Sequence, residues 1–436
     1  MIRVVLACAA ALALASPARA AVDIEEVTSP GGITAWLVEE HSLPFTALEI
    51  RFRGGTSLDR EGKRGAVNLM TGLIEEGAGD LDAQGFALAR DELAASFGFD
   101  AYDDAVSVSA RFLTENRDEA VDLLREALVE PRFDEDAVAR VRNQVLSIIA
   151  GDATDPGAIA SRAFDARAFP DHPYGTSGDG TTESVEALTR DDVVAAHEDA
   201  VARDRVYVAA VGDITPEALG TLLDDLLGDL PETGAPLPEE ADYALEPGVE
   251  IIEYPVPQSV ILFGQEGLAR DDPDFFAAYV ANEIFGGGGF ESRLMEEVRV
   301  QRGLTYGIGS YLVPKDHAAL LMGQASTANA SAAETVEVVK DEWARIADGV
   351  TQEELDAAKT YLTGAYPLRF DGNSTIADIL VGMQMDDLPI DYVATRNDEI
   401  EAITLDDIAR VADRLYREED LGFVVVGQPD GLSTTN

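Results

Sequence analysis

The sequence predicts an α+β fold in which one layered α/β unit is used twice, the two similar domains facing each other as a half-clamshell. Three observations carry this reading. The first is an internal repeat at a lag of 215 residues. Residues 119–126 (EAVDLLRE) align without a gap on 334–341 (ETVEVVKD), with charge sign or apolar character kept at seven of eight positions. At the same lag, 186–193 (EALTRDDV) meets 401–408 (EAITLDDI), and 208–212 meets 423–427. The second observation is that period-two segments and segments of helical period come in blocks. The third is the seam at 228–248, where Pro231, Pro236, Pro238 and Pro247 stand among glycines and acids, a composition suited to an extended linker. The expected organisation is a domain at 21–230, a linker at 231–248 and a domain at 249–436.

Residues 1–20 form no part of that fold. Arg3 gives a positive start, 4–15 is an apolar stretch too short to span a bilayer, and Ala18-Arg19-Ala20 ends it. This is the pattern of a secretory signal peptide, with cleavage expected after Ala20 and the periplasm as the expected address. Val5-Leu6-Ala7-Cys8 has the form of a lipoprotein processing site but lies too early in the chain. Cys8, the one cysteine, would leave with the signal, so neither disulfide nor thiol chemistry is expected. In the first unit, 33–38, 46–52 and 105–112 alternate like strands, 66–76 reads as a helix, and 117–128 and 136–149 are amphipathic helices. In the second, 250–254 and 259–264 read as strands and 273–285 as a helix. Thr189 and Thr404 are placed to cap equivalent helices, with acids in the first turn to meet the helix dipole.

The charge balance narrows the function classes. The chain carries 32 basic against 82 acidic side chains, a net charge of −50, spread along its whole length. Phosphate binding needs a basic patch, so a general nucleic-acid binder is excluded, and docking on an anionic membrane surface is disfavoured. A solvated, salt-tolerant surface is the plain reading.

Few residues offer chemistry. The four histidines, His41, His172, His197 and His317, are scattered, and each reads as a surface or capping residue. No G-x-S-x-G elbow occurs. Gly286 to Gly289 lacks the lysine of a phosphate loop and reads as a flexible loop ahead of a helix. The stretch after it is more informative. Residues 292–301 form a helix with Leu294 and Val298 on one face, Gly303 ends it, and 304–311 alternates like a strand. That turn brings Arg299 near a helix end and Tyr306 near a strand start, two donors able to converge on one backbone carbonyl. From chemistry alone, an exposed arginine and a core tyrosine is the simpler alternative.

Here the sequence resembles the pitrilysin/insulinase family of zinc peptidases, the inverzincins. The resemblance rests on the two-unit layout, on Gly54-Gly-Thr-Ser-Leu-Asp59 with Gly62-Lys-Arg-Gly65, and on the Gly-rich loop followed by Ser292-Arg-Leu, Glu297-x-Arg299 and Arg302-Gly-Leu-Thr-Tyr306. It implies that Arg299 and Tyr306 hold a substrate backbone near a metal. The metal motif itself departs from the pattern. Where the family has H-x-x-E-H, this chain reads Asn68-Leu69-Met70-Thr71-Gly72, and the helix matching the family's third ligand, 136–149, has no glutamate. Glu75 and Glu76 lie close by and read as solvated.

The resemblance therefore implies a non-catalytic subunit with no zinc of its own, since some two-domain bacterial members form heterodimers. A paralogous partner bearing H-x-x-E-H would carry the zinc and the water-activating glutamate, and this chain would bind the peptide. The alternative is a non-enzymatic scaffold or binding protein on the same fold.

Overall fold

The computed structural model describes residues 22–435, so the expected signal peptide, its cleavage after Ala20 and Cys8 lie outside the described residues. The first half contributes β1 (Glu25–Thr28), β2 (Thr34–Glu39), β3 (Phe45–Arg53), a short ribbon β4 (Gly77–Ala78) and β5 (Leu81–Asp82), then β6 (Ser96–Ala101), β7 (Ala105–Leu113) and β8 (Val206–Gly212). The second contributes β9 (Gly248–Glu253), β10 (Gln258–Glu266), β11 (Thr305–Pro314), β12 (Ala319–Ala328) and β13 (Gly422–Gly427).

The main sheets run β1-β2-β8-β3-β7-β6 and β11-β12-β10-β13-β9. Read from opposite edges, they are one topology. β8 and β13 are internal strands, each antiparallel to β3 or β10 on one side and parallel to β2 or β9 on the other. The place of β1 in the second sheet is taken by the C-terminal tail, where Thr435 donates its N–H to Val249 O at 2.9 Å. The two halves also share their local signals. Thr189 caps Arg190–Ala200 and Thr404 caps Leu405–Leu415, each in a reciprocal box with an aspartate three residues on.

Each sheet buries one face under helices of its own half. Leu48, Ile50 and Phe52 of β3 pack with Val67, Leu69 and Leu124 in the first core. Phe263, Phe423 and Val425 pack with Trp343 and Phe285 in the second. The opposite faces are covered by exchange. The helix Pro156–Ala168 of the first half lies on β10 and β13, where Phe164 joins Leu262, Val424 and Val426. The equivalent helix of the second half, Asn373–Met385, lies on β3 and β8, where Ala377, Leu380 and Val381 join Trp36, Ala209 and Val211.

Polar contacts follow the same crossing. Gln384 donates to Val208 O at 2.8 Å, Arg51 pairs with Asp378 at 2.6 Å, and Lys315 pairs with Asp103. Segment 231–247 carries no regular element, yet it is tied down. Ala235 N donates to Asp199 O at 2.9 Å, Ala241 N to His317 O at 2.8 Å and Ala244 N to Ala168 O at 2.8 Å.

Several local expectations are corrected. The helix expected at 66–76 stops at Thr71 and continues as tight turns through Ile74. The helix expected at 136–149 starts at Glu135 and runs to Asp152, so it does contain a glutamate, exposed in its first turn. Glu75 and Glu76 are engaged, by Arg90 at 2.7 Å and by Arg140. Two histidines are interior residues. His197 is buried with Nε2 on Leu128 O at 2.9 Å, and burial pushes its pKa down to about 4. His317 is buried at the junction of the halves with its ring 5.9 Å from that of His172. Period and spacing gave no sign of either, because the partners are distant in sequence.

Because each sheet borrows a helix, the halves should not separate. A chain nicked in 231–247 is expected to elute as one body, and thermal unfolding should show a single transition. Leu380→Ala, which empties a fully buried site on the exchanged helix, should lower that one transition by about 2–4 kcal/mol. Two separable transitions in calorimetry would contradict the coupling.

The exchanged face also predicts a pH effect. Glu49 on β3 is buried beside Asp378, and burial foremost, then Asp378, raises its pKa from 4.5 to about 8. The folded chain therefore holds a proton that the unfolded chain releases, and this stabilisation is lost as pH rises through about 8. Between pH ~7 and ~9 the wild type should lose on the order of 1 kcal/mol that Glu49→Gln keeps, read as the difference in melting temperature across that window.

Candidate functional site

The residues that resemble a metal motif are occupied in holding structure. Asp59 accepts from Val67 N at 2.8 Å and Gly65 N at 2.7 Å, and its ion pair with Arg64 at 3.3 Å ties the start of the Ala66–Thr71 helix to the preceding loop. Arg64 carries that tie on to Thr176 O at 2.8 Å. Gly65 must be glycine, since its φ is +94° and a Cβ would stand 2.7 Å from Asp179 O.

On the helix, Asn68 donates to Asp179 Oδ1 at 2.9 Å. Thr71 is buried and donates to Val67 O at 2.8 Å. Gly72 sits where a Cβ would press on Val141 Cγ1 at 3.2 Å. The facing surface of Glu135–Asp152 presents Val138, Val141 and Val145. Among the described residues, no group of three or more His, Cys, Asp or Glu side chains is arranged to hold a metal ion.

The second constellation begins at Phe275–Asn282, which widens into a π-helical turn, Glu283–Gly287. Gly286 is not slack loop, as expected from the four glycines, but a close-packing point. A Cβ there would stand 2.3 Å from Ser310 Oγ, so the glycine lets the segment close on β11. Asn282 and Ser310 fasten the same contact in both directions, at 3.1 and 2.6 Å. Glu283 lies half-buried under this turn, and burial raises its carboxyl to about 6.

The helix expected at 292–301 forms, but as a second π-turn over Met295–Gln301, with Leu294 and Val298 buried as the pattern required. Gly303 closes it at φ +64°. Two of its arginines are committed. Arg293 is buried and forks onto Glu354 at 2.7 and 2.9 Å, and this bond foremost pulls Glu354 down to about 2. Arg302 pairs with Glu297. Arg299, half-buried, has no carboxylate within ion-pair distance among the described residues and lies over the exposed Phe290 ring, 4.4 Å from its centroid.

Tyr306 opens β11, where the register with β12 slips between Thr305 and Ile308. That bulge turns Tyr306 outward. The Thr305 hydroxyl holds it, donating to Ser326 O at 2.6 Å and accepting from Gly307 N at 3.2 Å. Tyr306 is 86 % exposed, so it is no core tyrosine. No hydrogen bond or ring contact joins it to Arg299, although one short helix–strand turn carries both. The result is an exposed phenol and a guanidinium without a carboxylate partner on an irregular mount. Phe290 beside Arg299 carried no signal in the sequence and is the residue that reading missed.

The family description "Peptidase M16 inactive domain" matches residues 187–362, which run from the first half into the second. A non-peptidase homolog, YmxG of Helicobacter pylori, is 29% identical over 395 residues, covering 89% of this chain and 90% of its own. A solved peptidase M16 inactive domain from Pseudomonas fluorescens superimposes with a TM-score of 0.88 at 29% identity, covering 95% of this chain and 100% of that one. A chain of complex III2 from Candida albicans shares the fold, with a TM-score of 0.76 at 15% identity over 93% of this chain and 96% of that chain. By these comparisons the chain is similar, over nearly its whole length, to inactive, non-peptidase members of the pitrilysin-like peptidase family.

Proposed function

We propose that this chain is the substrate-binding subunit of a heterodimeric periplasmic zinc metallopeptidase that degrades peptides or unfolded segments. Zinc and the water-activating glutamate belong to an H-x-x-E-H-bearing paralogue, and this chain contributes Arg299 and Tyr306. The observation that carries the reading is the contrast between the two constellations. The metal-motif residues are consumed by internal hydrogen bonds, whereas Tyr306 is 86 % exposed and Arg299 has no carboxylate partner among the described residues.

In this role the guanidinium and the phenol O–H donate to a backbone carbonyl of the bound peptide. They would hold the peptide in register, and a zinc ion on the partner would supply the activation of water for hydrolysis. The exposed Phe290 ring gives the guanidinium an apolar platform and keeps it oriented while unoccupied.

A scaffold role is the second reading. The fold shared with a chain of complex III2 is compatible with it. The two readings differ at the donors, since a scaffold does not need them.

Arg299→Ala or Tyr306→Phe should lower turnover of the reconstituted pair by the equivalent of about 2–4 kcal/mol in transition-state stabilisation. Elution volume and melting temperature should stay unchanged, because neither side chain builds a core. Full activity in the double variant would remove the substrate-holding role and leave the scaffold. A second expectation concerns this chain alone: elemental analysis should find no stoichiometric zinc, and no peptide should be cleaved. One zinc per chain with chelator-sensitive cleavage would refute the assignment of the metal to a partner.

A further inference from the structure

The exchanged helix Asn373–Met385 leaves a cavity of about 310 Å³ between itself and the Phe275–Asn282 helix. Four guanidinium groups line it, those of Arg51, Arg270, Arg369 and Arg396. This is unexpected in a chain with 32 basic and 82 acidic side chains. The acids of the lining are two, Asp378 and Asp386. Asp378 pairs with Arg51 at 2.6 Å, and Asp386 lies 3.8 Å from Arg270. Arg369 and Arg396 have no carboxylate within ion-pair distance among the described residues, so the lining carries a net local excess of two positive charges.

Arg396 is the more telling of the two. It is 5 % exposed, and its hydrogen-bond acceptors are neutral: Leu362 O at 3.2 Å and Asn397 Oδ1 at 3.1 Å. It stacks over the Tyr366 ring at 4.2 Å and lies 5.6 Å from that of Tyr279. A buried cation is normally paired, because desolvation costs several kcal/mol per ion, and ring faces compensate only part of that. Arg369 at the rim is exposed. The rest of the wall is aromatic: Phe276 and Tyr392 stack at 6.3 Å with an interplanar angle of 21°, and the Tyr392 hydroxyl accepts from Arg270 at 2.9 Å.

We propose that this cavity is a binding site for a carboxylate carried on a flat apolar body, an aromatic acid, with Arg396 and Arg369 as its anion-holding residues. Guanidinium matches a carboxylate through two parallel hydrogen bonds. The tyrosine and phenylalanine faces take the ring. The volume suits a ligand of one residue's size, at the lower end of small-molecule sites. Two sources share this chemistry, the C-terminal aromatic residue of a peptide and a free aryl acid. The site contains neither Arg299 nor Tyr306, so it stands independently of the substrate-holding role.

Calorimetric titration of the full-length protein with phenylacetate, with Ala-Ala-Phe as the free acid and with Ala-Ala-Phe amide tests this. One of the acids should bind saturably with one site per chain, and the amide should not. Phenylacetate binding identifies the free acid as sufficient; binding by the peptide acid alone identifies a peptide C-terminus. Arg369→Gln and Arg396→Gln should each weaken binding roughly tenfold or more. If Arg396→Gln fails to fold, the exposed Arg369 keeps the test open. No saturable binding of either acid, equal binding of acid and amide, or unchanged affinity in Arg369→Gln would overturn the site.

Discussion

Each central sheet of this protein has two apolar faces, and its own half supplies helices for only one of them. Trp36, Ala209 and Val211 on the first sheet, and Leu262, Val424 and Val426 on the second, would face water if the halves stood apart. The reciprocal exchange of Pro156–Ala168 and Asn373–Met385 removes that exposure on both sides at once. Burying a large apolar side chain contributes about 1.5–3 kcal/mol, and several are buried at each crossing. The relative placement of the two halves is therefore set by core packing and not by a hinge. The turn that carries Arg299 and Tyr306 in the second half is consequently held in a fixed relation to the Ala66–Thr71 helix in the first.

The acid surplus sets a second constraint, because burial acts on carboxylates wherever the exchange brings them inside. Asp165 and Asp316 near the junction are raised to about 6, burial being the largest cause in both. Lys315 opposes the shift of Asp165, and Arg53 that of Asp316, at 3.4 Å. An arginine is thus spent where a carboxylate cannot reach water, as with Arg64 on Asp59, while the buried Arg293 is met by the part-exposed Glu354. Other guanidinium groups without a carboxylate rest on backbone carbonyls, as Arg142 does on Leu188 O and Arg190 on Phe133 O, whereas Arg299 and Arg396 lie over aromatic rings.

The sequence was legible wherever the signal is local. The Thr189 and Thr404 boxes, the strands around Leu48 and Phe263, and the helix–Gly303–strand turn are written in caps, alternation and a left-handed glycine, all within a few residues. The repeat lag further implied that the two halves share one topology. What could not be read depends on distant partners. Helix exchange leaves no trace in periodicity, because Pro156–Ala168 has the same pattern whichever sheet it covers. The burial of His197 under Leu128, the crossing of His172 and His317, and the stacking of Arg299 on Phe290 are likewise tertiary. The two π-turns escaped for another reason: a helix with one residue inserted keeps its apolar face over a short span and looks regular in sequence.

Changing three side chains would not make a metal site of the Ala66–Thr71 helix and its C-cap. Placing histidine at Asn68 would free Asp179 Oδ1 from its donor. A glutamate at Thr71 would set a carboxylate in a buried position now satisfied by a hydroxyl bond to Val67 O. A side chain at Gly72 would begin in contact with Val141. The third ligand would have to come from the facing helix, whose inward surface is Val138, Val141 and Val145, while its Glu135 is exposed in the first turn. An uncompensated buried carboxylate and a displaced valine would each destabilise the helix before any metal arrived. The surroundings have repacked around the absence of ligands, whereas the Arg299–Tyr306 turn keeps a bulge, a π-turn and a close-packed glycine that a simple hairpin would not need. Irregular backbone at one constellation thus stands beside close side-chain packing at the other.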